Sequence, residues 1–171
     1  SGAVGTAALQ IAAANGIDSI GTAGSERGLD LIREQGAGHV LDHTQAGYLD
    51  AVAELTKGKG PEIILEMLAN VNLPKDMEIA AKYGRIVVIG NRGPVEINAR
   101  EAMMKDLDII GIALPNTPAD DMAAIHAALG KGLADGSLNP VIGKELPLAE
   151  AIESHHAVLR PGAHGKIVLI P

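Results

Sequence analysis

The sequence has no cysteine, tryptophan or phenylalanine, and only two tyrosines among its 171 residues. Without cysteine there is no disulfide framework, no Cys-ligated zinc site, no iron–sulfur cluster and no thiol nucleophile. A reducing, cytoplasmic compartment fits that composition. Without large aromatics, a core has to be built from Ile, Leu, Val, Ala and Met. Positive charge is scarce as well. The 14 Lys and Arg stand against 21 Asp and Glu, a net charge of −7, and that field repels nucleic-acid backbones and anionic lipid. Nucleic acid and membranes are therefore poor partners. No apolar run approaches the roughly 20 residues that span a bilayer, and the first residues lack the regions of a signal peptide.

What is present is alternation. Stretches of helical periodicity take turns with short β-branched runs, separated by glycines, and this pattern predicts an α/β fold: a doubly wound (Rossmann) parallel sheet. Helices are expected over residues 4–15, 26–35, 48–56, 73–82 and 148–159, with the longest opening at Thr117 before Pro118 and running to Asp135. A short one is opened by Asn98, with Glu101 three residues later as in a capping box. In the first helix Ala7, Ala8, Ile11 and Ala12 share a face, and Gly16 ends it. Strands are expected at 19–22, 39–42, 63–65, 85–89, 107–112 and 166–170, those at 63–65 and 85–89 reading as buried. Beyond Pro140 the pattern is less regular. A doubly wound sheet opens on a strand, yet Ser1 and Gly2 already read as the loop after one, and no initiator Met is present. The chain thus reads as a fragment whose first strand lies upstream.

The opening Ser1-Gly2-Ala3-Val4-Gly5 precedes a helix of small residues. Such a loop lets backbone N–H groups and the helix dipole hold a pyrophosphate, with Gly5 allowing the helix close to the sheet. A plain tight turn is the competing reading, and the βαβ unit that follows favours the first. Where an NAD site has a carboxylate for the ribose 2′-hydroxyl, this chain has Thr22-Ala23-Gly24-Ser25. Nothing there repels a 2′-phosphate, and Arg27 is at hand as a cation, so NADP is favoured over NAD. Ser25 also reads as a helix N-cap and Arg27 as a solvated helix residue.

Two later stretches carry a likeness. Glu66-Met67-Leu68-Ala69-Asn70-Val71-Asn72-Leu73 and Gly84-Arg85-Ile86-Val87-Val88-Ile89-Gly90-Asn91-Arg92-Gly93 closely resemble the nucleotide-binding domain of zeta-crystallin-like NADPH:quinone oxidoreductases, zinc-free members of the medium-chain dehydrogenase/reductase superfamily. Gly21-Thr22-Ala23-Gly24-Ser25, Glu96-Ile97-Asn98, Ile109-Ile110-Gly111 and Pro140-Val141-Ile142-Gly143 match too, and the likeness runs over essentially the whole chain.

The resemblance implies NADP(H) as cofactor and a quinone or enone as substrate. It implies that Ser1, Gly2, Ala3 and Val4 wrap the pyrophosphate, and that Gly24 and His43 lie at the adenosine end. Asn72 stands beside the cofactor, with helix N-capping next to Leu73 as its rival role. Ile89, Gly90, Asn91 and Arg92 form the turn after the fifth strand of the family fold, and Ile112, Ala113 and Leu114 border the nicotinamide, unless they are simply an apolar strand end. No residue here is assigned a catalytic role and none a metal. Residues 1–140 are then an NADP-binding Rossmann domain without its first strand, and residues 141–171 a segment packing toward an absent N-terminal, GroES-like catalytic domain. Without that domain the chain is expected to be inactive. A homodimer or homotetramer is implied, the apolar strand near 107–114 lying at the sheet edge. An enoyl-thioester reductase of the same superfamily and a non-catalytic cofactor-binding or interaction domain are the alternatives. The family's usual aromatics, for example near Leu41 and after Leu114, are absent.

Overall fold

The structure, a computed structural model, describes residues 1–160, 162 and 164–171. Helices and strands alternate as expected: α1 (Ala3–Ala14), β1 (Ile20–Ala23), α2 (Glu26–Glu34), β2 (His39–Asp42), α3 (Tyr48–Leu55), β3 (Ile63–Glu66), α4 (Ala69–Ile79), β4 (Arg85–Val88), α5 (Ala99–Lys105), β5 (Asp108–Gly111), α6 (Ala119–Asp135), β6 (Ile142–Pro147), α7 (Ala151–Leu159) and β7 (Lys166–Ile170). Every strand pairing is parallel. Among the described residues the pairings form three sheets, β1–β2, β3–β4–β5 and β6–β7. The chain divides into two compact units, Ser1–Tyr48 with Ala123–Pro171, and Leu49–Met122.

In the first unit, α1 departs from the expected face. Thr6 and Leu9 are its buried residues, whereas Ile11 is 42% exposed. An alanine-rich helix has apolar residues all round, so periodicity could not choose the face. Contacts with α2 choose it. Leu9 packs with Ala23 and Ile32, the Gln10 amide bonds Gln35, and Ala13 lies over Gly36. Residues 6, 9, 10 and 13 make one stripe at helical spacing. Thr6 is buried without penalty because its hydroxyl donates to the carbonyls of Gly2 and Ala3, at 3.1 and 3.2 Å. Gly5 was expected to permit a close helix–sheet approach, but nothing lies within 4 Å of a Cβ built there.

Strand β6 was not foreseen. Lys144 and Glu145 interrupt its apolar pattern and its register slips between Ile142 and Lys144, so only pairing with the regular β7 defines it as a strand.

In the second unit, α4 packs on one face of β3–β4–β5. Ala69, Leu73, Met77, Ala80 and Ile86 form its core, with Ile64, Val88 and Leu107 against it. Strand β3 is not covered on both faces as expected: Ile63 and Leu65 are exposed while Glu66 is buried. The strand therefore alternates, with a carboxylate at its inward end. Helix α4 begins at Ala69 and not at Leu73, the expected start. The extra turn forms because Ala69 N–H donates to Gly90 O at 3.0 Å and Leu68 N–H donates to the Glu66 carboxylate. Gly90 is distant in the chain, and local propensity does not register it.

Candidate functional site

Within the first unit, three segments meet at the ends of β1 and β2. Gly2 is the N-cap of α1 in extended backbone, with no side-chain cap and no acidic residue in the first turn. That helix end has unbonded N–H groups and a positive dipole that carboxylates do not neutralise. Ala3 opens the helix and Val4 beside it is exposed. Ser1 and Gly2 are anchored against the residues preceding β7: Gly165 N–H donates to Ser1 O at 3.0 Å, and Gly2 pairs with Gly165 in a parallel bridge.

Gly24 and His43 come together. A Cβ on Gly24 would stand 2.8 Å from His43 Nε2 and 3.1 Å from Thr44 Cγ2, so the imidazole lies over Gly24 and a larger residue there would have to displace it. The parallel register that sets Ala23 against Asp42, with His43 N–H donating to Ala23 O at 3.1 Å, delivers both residues there. Ser25 is the N-cap of α2, its hydroxyl accepting from Gly28 N–H at 3.2 Å. The N-cap reading of Ser25 therefore stands. No carboxylate lies between Thr22 and Ser25, and Arg27 is exposed in the first turn of α2.

Two features of this region escaped the sequence reading. One is the turn that holds His43. Asp42 accepts from Thr44 N–H at 2.8 Å, from Thr44 Oγ1 at 2.7 Å and from Gln45 Nε2 at 3.1 Å. These bonds, chiefly those from Thr44, hold its carboxyl below the ordinary range. The signal was an Asp-x-Thr-Gln run at a strand end, the composition of an Asx turn. The other is a cavity of about 520 Å³ between α2 and the start of β6, lined by Arg27, Asp30, Leu31, Ile142, Gly143 and His164 among others. Burial, and after it the Arg27 guanidinium, lowers the pKa of His164, whose Nδ1 is buried with no hydrogen-bond partner among the described residues.

Within the second unit a separate group of predicted residues is held in one junction. Ile89 and Gly90 both donate their N–H groups to Glu66 O, at 2.8 and 3.2 Å, and Arg92 N–H donates to Asn70 Oδ1 at 3.0 Å. Asn91 and Arg92 lie in the turn that follows β4. Asn72 is not an N-cap. It sits inside α4 and donates from Nδ2 to Glu66 Oε1 at 3.2 Å, because the extra turn has moved the helix start ahead of it. Ile112 N–H continues the ladder to Val88 O at 3.1 Å, and Ile112, Ala113 and Leu114 are all exposed. Strand β5 is an edge of its sheet, with Ile109 and Ile110 also exposed. Glu66 itself went unremarked as a site residue, although an acidic residue closing an apolar strand is a readable anomaly. Among the described residues no group of three or more His, Cys, Asp or Glu is placed to hold a metal ion, and no helix is long and apolar enough to cross a membrane.

Parallel strands joined by helices, with a glycine loop opening the first helix, define an α/β protein of the doubly wound, nucleotide-binding class. The chain belongs to the zinc-binding dehydrogenase family, whose model matches residues 3–131. It is 42% identical to human quinone oxidoreductase and 41% identical to the mouse protein, in each case over 99% of this chain and 52% of the relative. The chain thus spans about half the length of the curated relatives it matches. A quinone oxidoreductase of Pseudomonas syringae pv. Tomato superposes with a TM-score of 0.89 at 25% identity, over 98% of this chain and 53% of that one. The Escherichia coli quinone oxidoreductase solved in complex with NADPH gives 0.87 at 23% identity, over 99% and 54%, a likeness of fold.

Proposed function

We propose that this chain is the NADPH-binding part of a zinc-independent oxidoreductase that reduces quinones or related enones in the cytoplasm. The observation that carries the reading is the end of β1. Gly24 lies under His43, residues 22–25 contribute no carboxylate, and Arg27 stands exposed in the first turn of α2 next to Glu26, a set whose cation can pair with a ribose 2′-phosphate. The residues fit the cofactor. Ser1, Gly2, Ala3 and Val4 would hold the pyrophosphate on the uncapped α1 terminus. Gly24 and His43 would hold the adenosine end. Asn72, Ile89, Gly90, Asn91 and Arg92 would lie beside the cofactor, and the nicotinamide would be bordered by Ile112, Ala113 and Leu114. When bound, the nicotinamide supplies the reducing equivalents, and this chain's own residues bind, orient and screen from water. Residues 141–171 are assigned to packing against the catalytic domain.

The test is quinone reduction by the full-length polypeptide with NADPH and with NADH, in the wild type and in Arg27→Glu. A charge-assisted contact to phosphate is worth about 1.5–3 kcal/mol, so the variant should lose roughly ten- to a hundredfold in NADPH preference with NADH kinetics little changed. Equal loss with both cofactors would refute the phosphate assignment, and no quinone- or enone-dependent NADPH oxidation would refute the activity.

The exposed apolar edge formed by Ile109, Ile110, Ile112 and Leu114 supports assembly into a homodimer or homotetramer, because an unpaired apolar edge recruits another strand. Light scattering of the full-length protein is expected to give a dimer or larger, and a lone monomer at micromolar concentration counts against this.

A further inference from the structure

Glu66 and Asp76 are two buried acids, 6% and 8% exposed, one at the inward end of β3 and the other on α4, one turn beyond the Asn72 that bonds Glu66. Neither is needed by the function proposed above. The two carboxyl groups are near enough for the charge of Glu66 to act on Asp76. Two carboxylates are acceptors only, so neither can satisfy the other unless one carries a proton. Asp76 Oδ2 is buried with no hydrogen-bond partner among the described residues, and a proton on this carboxyl relieves the cost of an unpaired buried charge.

We propose that Asp76 carries a proton in the folded protein and acts with Glu66 as a positioning pair that holds Asn72 and loop residues 89–92 in place. Asn72 and Asp76 are four residues apart and so share a helix face. Glu66 Oε1 accepts from Asn72 Nδ2 and from Leu68 N–H, and the Glu66 carbonyl accepts from Ile89 and Gly90. Gly90 O in turn receives Ala69 N–H at the start of α4. One residue thus ties the helix start and the loop together by both side chain and backbone, and Asp76 governs whether its carboxylate stays in place.

Burial first, then the neighbouring Glu66 carboxylate, pushes Asp76 up to about 8, with Lys75 opposing. Of the other charged groups on elements packed against α4, Lys105 of α5 is engaged by the carbonyls of Met77 and Glu78, and Arg85 of β4 is paired with Asp108 at 2.9 Å. Lys75, Glu78 and Glu101 line a cavity on the outer side of α4. Raising the pH sends the proton to solvent and leaves two adjacent carboxylates, and the junction loosens.

The inference rests on the proposed function only in calling loop 89–92 cofactor-side, and its test is read without cofactor. Infrared spectroscopy of the wild-type protein should show a carboxylic-acid band at pH 6 that bleaches with a midpoint near 8 and is missing in Asp76→Asn. The amide resonances of Leu68, Gly90 and Arg92, and the side-chain amide of Asn72, should titrate with the same midpoint. In Asp76→Asn they should stay at their low-pH positions, since the amide introduced carries no charge at any pH. An absent band, or a band that bleaches while those amides stay fixed, overturns the proposal. Because the wild type is itself titrated, a variant that failed to fold would not shelter it. Titrating amides with an NADPH affinity unchanged between pH 6 and 9 would uphold the positioning pair and count against the loop's assignment to the cofactor.

Discussion

Replacing Gly90 by alanine should unseat the loop after β4 and the start of α4 together. A methyl group at Gly90 would overlap the Met67 carbonyl, whose carbon would be only 2.9 Å away. The obstacle is backbone, so no side-chain rotation relieves it, and the loop has to move. Moving it breaks the two N–H bonds from Ile89 and Gly90 to Glu66 O and the bond from Ala69 N–H to Gly90 O. Overpacking of this kind costs about 3 kcal/mol or more when the neighbour cannot yield. NADPH binding should weaken at least about tenfold, since a loop displaced by an ångström loses aligned contacts worth well over 1.4 kcal/mol. Gly93→Ala is the internal control. Nothing lies within 4 Å of a Cβ there, so its stability should change by less than about 0.5 kcal/mol. Urea unfolding of both variants, with fluorescence titration of NADPH, makes the comparison. Equal midpoints for Gly90→Ala and wild type would show that the junction yields and that the loop is not held as described.

That contrast between two glycines three residues apart shows what the sequence could reveal and what it could not. Both read as turn glycines. Which one is sterically indispensable depends on Met67, at the far end of the neighbouring strand, and strand register is a tertiary fact. Alternation, by contrast, was fully legible, because hydrophobic period and glycine punctuation are local: β2, α2, α6 and β7 lie within one or two residues of expectation. The meeting of Gly24 with His43 was suggested only by family likeness, and its cause is the β1–β2 register. The errors share one origin. At α1, at the start of α4 and at β6, the deciding partner is remote: α2, Gly90 and β7 respectively. The buried Glu66–Asp76 pair belongs to the same class, since Glu and Asp ten residues apart look like two solvated charges until β3 and α4 are laid together.

The pair has a consequence for stability that runs against the habit of carboxylates. An acid paired with a base has a lowered pKa in the folded state and destabilises the fold when protonated. Asp76 is the reverse, lying near 8 when folded against 3.8 for an unburied aspartate. Between those values the native state holds a proton that the unfolded chain has released, so raising the pH favours unfolding. The advantage is fully present below about 3.8 and is lost as pH rises through about 8, at up to about 1.4 kcal/mol per pH unit. Asp76→Asn removes the titration while keeping shape. Its stability relative to wild type should therefore climb steadily across that window, reaching several kcal/mol in favour of the variant above pH 8. Taking the difference at each pH cancels the other titrating groups, which both proteins share. Glu66→Gln supplies the intermediate case: with the like charge gone but burial unchanged, the window should narrow from its upper end and not vanish. Urea unfolding at intervals from pH 4 to 9 gives the three curves. If wild type and Asp76→Asn stay a constant distance apart throughout, Asp76 is ionised in the native protein and carries no proton there.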